Sequence, residues 1–322
     1  MLALMSGNID ARFVAIARIT IGLGGLIIAL ESHVVLTEIA DKRFAIPVLE
    51  LLPNVRPIGI TTVFIISVLF SLSLLAGYLS RPAAVGLAVT NAFVLLWDQQ
   101  SYSNHLVLLV CLCGYLALTD AEARWSLDAK IRGSQKDAVP FCTVVPIMSQ
   151  ISILYLFTAI AKVNPVFFNG DMFRAAMWVP LPEQLYIPLS YCAVALELFL
   201  AFALWSRRLV KAAILLGVMF HASIVVMLDQ PIVLFAFALL TVGTYPLFYA
   251  RSLLNTKATT RAEMISWTRS RRFLSGKSEN ACDVYANQSD SVMNIHKLKS
   301  HHGKIRRARV DSARESISVS EG

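Results

Sequence analysis

Apolar stretches about long enough to cross a lipid bilayer recur along the whole chain, separated by short polar turns and prolines, and this rhythm is the strongest signal in the 322 residues. A helix rises 1.5 Å per residue, so crossing ~30 Å of hydrocarbon takes about 20 mainly apolar residues. Eight spans are expected, near residues 12–32, 58–80, 83–98, 104–120, 145–162, 186–206, 211–228 and 231–250. The second and third are expected to part at Arg81-Pro82, because proline ends the ladder of helical hydrogen bonds. The fold class that follows is all-α, a polytopic integral membrane helical bundle with about eight transmembrane helices.

Segments between the spans carry their own pattern. Residues 37–57 mix charges with apolar clusters and three prolines, as expected of a short element lying in the membrane interface. Residues 166–182, rich in aromatics, are expected to pack over the mouth of the bundle. The first apolar stretch, from Phe13 to Leu30, lacks a small-residue cleavage site before a polar domain and is read as a retained helix.

Composition agrees with this class: 56% of residues are hydrophobic, 16% are charged, and mean hydropathy is +0.62. Charge orients the spans. With the N-terminus cytoplasmic, the same side receives Arg81, the cluster Arg124, Lys130, Arg132 and Lys136, the cluster Arg207, Arg208 and Lys211, and the tail. Both termini are therefore expected inside. Residues 1–11 form a cytoplasmic segment, 12–250 the membrane domain and 251–322 a basic, disordered tail. The tail holds 14 Lys/Arg against 7 Asp/Glu, nearly all of the formal +8. A basic tail beside a membrane is expected to meet anionic lipid, and no nucleic acid is expected as partner. The pair His301-His302 is read as incidental. The five cysteines, Cys111, Cys113, Cys142, Cys192 and Cys282, have neither metal-ligand nor disulfide-framework spacing, and no metal is predicted.

Polar residues inside apolar runs are costly and so mark candidate chemistry. Lys162 ends the fifth span and His105 opens the fourth, both at the outer level, with Asn104 beside His105 placed to cap that helix. Glu197 lies near the middle of the sixth span and His221 near the middle of the seventh. Arg18, in the first, is either their partner or a snorkelling residue. An amine at a span end is an interfacial anchor or, where partly removed from water, a group that holds its proton less tightly and can act as a base.

At these residues the chain resembles the horizontally transferred transmembrane (HTTM) domain family, which includes the membrane domain of the vitamin K-dependent gamma-carboxylase. The strings are Ala15-Ile-Ala-Arg18-Ile-Thr-Ile-Gly22, Leu75-Ala-Gly77-Tyr78-Leu-Ser-Arg81, Ser103-Asn104-His105-Leu106, Leu118-Thr-Asp120 with Trp125-Ser126-Leu127-Asp128, Tyr155 through Lys162, and Phe220-His221. The resemblance implies that Lys162 is a base acting on a reduced, vitamin K-like quinone and that His105 supports it, while Asn104, Tyr155, Glu197, His221 and Arg18 are read from the spans themselves as the surrounding polar interior. It also implies a multi-pass protein of the bacterial cell membrane, with membrane lipid and a small peptide or protein substrate as partners. One bacterial branch that it resembles helps to mature a peptide toxin. The chain departs from the carboxylase in having Ala161-Lys162 in place of a lysine pair and Phe167-Phe168 in place of a tryptophan. It has only a basic tail after Tyr249 where the carboxylase has a large extramembrane domain, so carboxylation of a propeptide-bearing protein is not expected. Three functions are compatible with the residues: a quinol-linked or peptide-modifying enzyme, a proton-coupled carrier, and a non-catalytic scaffold or maturation factor.

Overall fold

The computed structural model describes residues 7–254 apart from 43, 44, 50, 53 and 230. The basic tail from 255 onward, with His301-His302 and Cys282, lies outside the described residues, as does most of the N-terminal segment.

Among the described residues two strands and twelve α-helices follow in order. Strand β1 (Asn8–Asp10) leads into helix α1 (Ala11–Lys42), then α2 (Pro57–Ala76), α3 (Ser80–Trp97), α4 (Asn104–Leu116), the short α5 (Leu127–Ile131) and strand β2 (Ala138–Pro140). Helix α6 (Val145–Ala161) is followed by two short helices, α7 (Pro165–Phe168) and α8 (Asp171–Ala176), then α9 (Glu183–Ala203), α10 (Val210–Met227), α11 (Pro231–Val242) and α12 (Tyr245–Leu253). Seven helical segments among the described residues are long and apolar enough to cross a membrane, α11 and α12 counting as one.

The eighth expected crossing is shorter than the pattern suggested. Helix α4 has 13 residues, about 20 Å of rise. It nevertheless returns the chain to the end at which α3 began, since Arg81, in the first turn of α3, donates from Nε to Thr119 O at 3.3 Å and pairs with Asp120. The remaining distance is covered by a turn instead of a helix.

Helix α1 is the hub, packing on α2, α11, α4 and α12. Of its most apolar 18-residue window 56% is buried, against 22% for α2 and α10, whose remaining faces are apolar and exposed, as lipid requires. Close packing depends on Gly22, where a Cβ would stand 2.9 Å from Leu75 N on α2. Small residues that let backbones approach are the usual means of helix association in lipid. The first span therefore does not stop at 32. With no proline between Glu31 and Lys42, the helix continues to Lys42 and carries Glu31 and His33 within it.

The second and third spans do not part at Arg81-Pro82. Gly77 (φ 71°) closes α2 in the left-handed conformation, and α3 starts at Ser80, so Pro82 sits in a first helical turn where its missing N–H costs nothing. Residues 45–49, expected at the interface, are tied to the turn after α3: Asp98, fully buried, accepts from Ile46 N at 2.7 Å and from Gln100 N at 2.8 Å.

One end of the bundle is fastened by charge. Strand β1 pairs antiparallel with β2, and the ring contact of Phe13 with Tyr249 brings the start of α1 and the end of α12 to the same end. Asp120 accepts from Lys136 Nζ at 2.8 Å and pairs with Arg81, and the Lys136 hydrogen bond holds its carboxyl below its ordinary 3.8. A depressed folded value means that the contribution is complete above 3.8 and is lost as pH falls through the lowered value. Thermal melts in detergent should therefore lose stability only below about pH 4, and Asp120→Asn should flatten that limb. The effect should be small, on the order of 1 kcal/mol or less, because both cations are largely exposed.

Candidate functional site

Helix α6 ends at Ala161, and Lys162 is its C-terminal cap. The next residues, Asn164-Pro165, turn the chain sharply. Asn164 adopts extended backbone and accepts from Phe167 N at 2.9 Å, starting α7 at once. This turn brings the Phe167 ring to 5.7 Å from Lys162 Nζ, within reach for a cation–π contact. The ammonium donates to Glu197 Oε1, and the pair joins α6 to α9, its side chains 30% and 6% exposed. The second carboxylate oxygen, Oε2, is buried with no hydrogen-bond partner among the described residues.

Lys162, Glu197, His105, Asn104, Tyr155 and His221 all line one cavity of about 330 Å³, with Leu154, Phe220 and Phe237 among its apolar walls. Six of the seven residues singled out from sequence are thus brought together. Deeper in, the Tyr155 hydroxyl joins His221 Nε2 at 2.7 Å to the Tyr245 hydroxyl, and Thr241 Oγ1 lies 3.1 Å from the same histidine nitrogen. His221 Nδ1 is buried without a partner among the described residues.

Sharing a cavity is not the same as being paired. His105, expected to support Lys162, has Glu31 as its partner: Nε2 lies 2.6 Å from Glu31 Oε2 and 3.1 Å from Ser103 Oγ. Both contacts fall on the same nitrogen, so these residues do not form a serine–histidine–acid relay, which needs one partner on each side of the ring. Asn104 is not the cap of α4. Ser103 is extended there and accepts from Leu106 N, while Asn104 is the first helical residue and its Oδ1 accepts from the Tyr102 hydroxyl at 3.3 Å.

Arg18 is the seventh candidate, and the structure does not bring it to the cavity. It lies fully buried at the opposite, strand-bearing end, donating to Ala121 O at 3.1 Å and to Trp125 O at 2.6 Å. Trp125 is held at φ 51°, an uncommon backbone for a bulky residue, which aims its carbonyl at the guanidinium. The strings that carry the family resemblance accordingly divide in two. Arg18, Gly77, Arg81, Asp120 and Trp125 build a structural clamp at one end, whereas Asn104, His105, Tyr155, Lys162 and His221 build the cavity near the other.

Sequence reasoning missed Glu31, Thr241 and Tyr245, and gave Phe167 no contact with Lys162. Glu31 was legible only as a charge just beyond the first apolar run. Thr241 and Tyr245 sit in an apolar span and carry no charge at neutral pH, so nothing in the pattern separates them from packing residues. The amine, carboxylate, imidazoles and tyrosine hydroxyl on its walls offer this cavity acid–base and hydrogen-bonding chemistry.

The chain matches the HTTM domain family over residues 7–252, which takes in every element described above but for the last residue of α12. It belongs to the HTTM family. An HTTM protein with seven long apolar helices is an integral, multi-pass membrane protein. Neither the curated proteins nor the solved structures gave a match to this HTTM chain.

Proposed function

We propose that this HTTM protein is a membrane-embedded enzyme in which Lys162 and Glu197 act together as the acid–base unit for a lipid-soluble substrate at the extracytoplasmic end of the bundle. The orientation follows from Arg81, Arg124, Lys136 and Arg207 gathering at the other end. The observation that carries the reading is the placement of the Lys162–Glu197 pair in a cavity of about 330 Å³ that also holds two orphaned buried polar atoms, Glu197 Oε2 and His221 Nδ1.

Those orphans define what fits. A carboxylate oxygen without a donor is satisfied by a ligand hydroxyl, and apolar walls such as Phe220 and Phe237 suit a flat ring. A reduced quinone, the class implied by the carboxylase resemblance, has both features, and Lys162, Glu197 and His221 would hold its head. Once bound, it would supply the ionisable hydroxyl and the reducing equivalents of the reaction.

The chain's own part is proton handling. Transfer from Lys162 Nζ to Glu197 Oε1 turns an ammonium–carboxylate pair into a neutral amine and carboxylic acid, with no change in net charge. Such a redistribution costs less in a low-dielectric site than creating a lone charge. It leaves a nitrogen lone pair facing the cavity, able to take up one proton. Tyr155, held between His221 and Tyr245, keeps the imidazole fixed on the far wall.

Mass spectrometry of lipid extracts and peptides tests the reading in cells carrying the wild-type gene, Lys162→Met, or no gene. With dioxygen as the oxidant and carbon dioxide as the carboxyl donor, a larger oxidised share of the quinone, or a peptide heavier by a carboxyl group, is expected in wild type than in the other two. Identical spectra from all three would overturn it.

A further inference from the structure

We propose that a groove walled by α1, α10 and α12, at the end of the bundle opposite Lys162, seats an anionic glycerophospholipid, with the phosphate on Lys211 and one acyl chain along the groove. The inference concerns a different surface from the Lys162 cavity and is independent of the proton-transfer reading.

The groove has a volume of about 560 Å³. Ile16 lines it from α1, Lys211, Ile214 and Val218 from α10, and Tyr245 and Tyr249 from α12, and Lys211 is the one charged group among its described lining residues. Lys211, Ile214 and Val218 stand three and four residues apart, so they share a face of α10. Together they span about 10 Å of helix rise, enough for the upper part of an acyl chain. Lys211 lies in the first turn of α10, just beyond the turn whose Trp205 carbonyl accepts from Arg251 of α12, so the ammonium marks the end of the groove nearer the membrane surface. A lysine placed there lays its methylenes on the apolar wall and keeps its charge at headgroup level.

Charge identifies the occupant. The turn before α10 and the end of α12 carry Arg207, Arg208, Lys211 and Arg251, whereas the sequence holds no Asp or Glu at 198–228 or 230–262. Two of these cations are engaged in joining the turn to α12: Arg207 Nη2 donates to Leu254 O at 2.8 Å, and the Arg251 guanidinium lies 5.1 Å from the centre of the Trp205 ring. On the α1 side Asp10 is taken up by Arg12, whose Nε donates to Oδ2 at 2.9 Å. Arg208 and Lys211 are exposed and have no ion-pair partner among the described residues. Basic pockets between membrane helices at the cytoplasmic face suit anionic headgroups. A zwitterionic lipid brings an ammonium of its own and relieves none of this excess charge, and a soluble anion would leave the apolar groove unfilled.

The full chain is placed in phosphatidylcholine nanodiscs containing a trace of photoreactive lipid, with a diazirine in one acyl chain and either a phosphatidylglycerol or a phosphatidylcholine headgroup. After illumination, labelled residues are located by tandem mass spectrometry. The phosphatidylglycerol probe should label residues 214–218 and 242–249 several-fold more than the phosphatidylcholine probe. Lys211→Gln and Lys211→Glu should abolish that preference. Val218→Trp, which fills the groove from an exposed position, should lower labelling there by both probes. Any pull of the basic tail on anionic lipid is common to all variants, so the Lys211 comparison isolates the groove.

Equal labelling by the two probes, a preference that survives both Lys211 substitutions, or labelling unchanged in Val218→Trp would overturn the inference. Labelling by neither probe would overturn it as well, and nanodiscs carrying two chains would then identify a second copy as the occupant.

Discussion

Lys162→Met is expected to lower quinol turnover by at least about a hundredfold, the usual scale for loss of a general base, and to destabilise the fold as well. The stability loss follows from Glu197, whose carboxyl would lose its lysine at only 6% side-chain exposure. Removing one member of a buried pair costs about 3–5 kcal/mol, reduced here to about 2 because the Lys162 side chain is 30% exposed and Glu197 can be neutralised by taking a proton. The double variant Lys162→Met with Glu197→Leu removes the stranded carboxyl, so its melting temperature should return toward wild type while turnover stays lost. Thermal unfolding and turnover measured on the same nanodisc samples separate the two effects. A single variant as stable as wild type would show that the pair is not effectively buried, and turnover in the double variant would show that the amine takes no part in the chemistry.

The second large effect is expected far from the cavity. Gly77→Ala should stop the protein accumulating in the membrane or destabilise it by about 3 kcal/mol or more, because two costs act together. The backbone is left-handed there at φ 71°, worth about 1 kcal/mol to any residue with a Cβ. The added carbon would also stand 2.3 Å from Arg18 Nη1 and 2.7 Å from Ser126 Cα, both held in the clamp that docks the α2–α3 turn on α1. Two other glycines separate the contributions. Gly133, at φ 63° with open space around it, should lose only the conformational part on substitution by alanine. Gly114, inside α4 with nothing within 4 Å of its missing Cβ, should gain up to about 1 kcal/mol from the better helix former. Equal melting temperatures for Gly77→Ala and Gly133→Ala would refute the packing half of the argument.

The two positions are linked through α1. The clamp fixes that helix at Arg18, and about 20 Å further along the same helix presents Glu31 to His105 on the cavity wall. A loosened clamp should therefore disturb the imidazole before it disturbs the Lys162–Glu197 pair, which is carried by α6 and α9.

Most of the architecture could be read from the chain. Runs of apolar residues located the seven long crossings to within a few positions, except that α1 runs on to Lys42, where the apolar run gives out long before the backbone has any reason to stop. The short α4 was legible as a crossing but not as a 13-residue helix, because a turn can cover the last few ångströms as well as helix can. Lys162 and His105 were placed at a common level by parity of the spans alone, and they do line one cavity.

What the sequence by itself determined is the depth of each polar group in the membrane, since depth depends only on how many residues separate it from the ends of its own apolar run. Which groups touch was decided by tertiary structure. Lys162 found Glu197 and not His105, His105 found Glu31, Tyr155 found His221 and Tyr245, and Arg18 went to backbone carbonyls at the far end. The physical reason is that a helix in lipid is apolar on its outer and inner faces alike, so its sequence carries little record of how it is rotated or which neighbour it meets. That choice is made by close contacts such as Gly22 against Leu75 and by the clamp around Gly77.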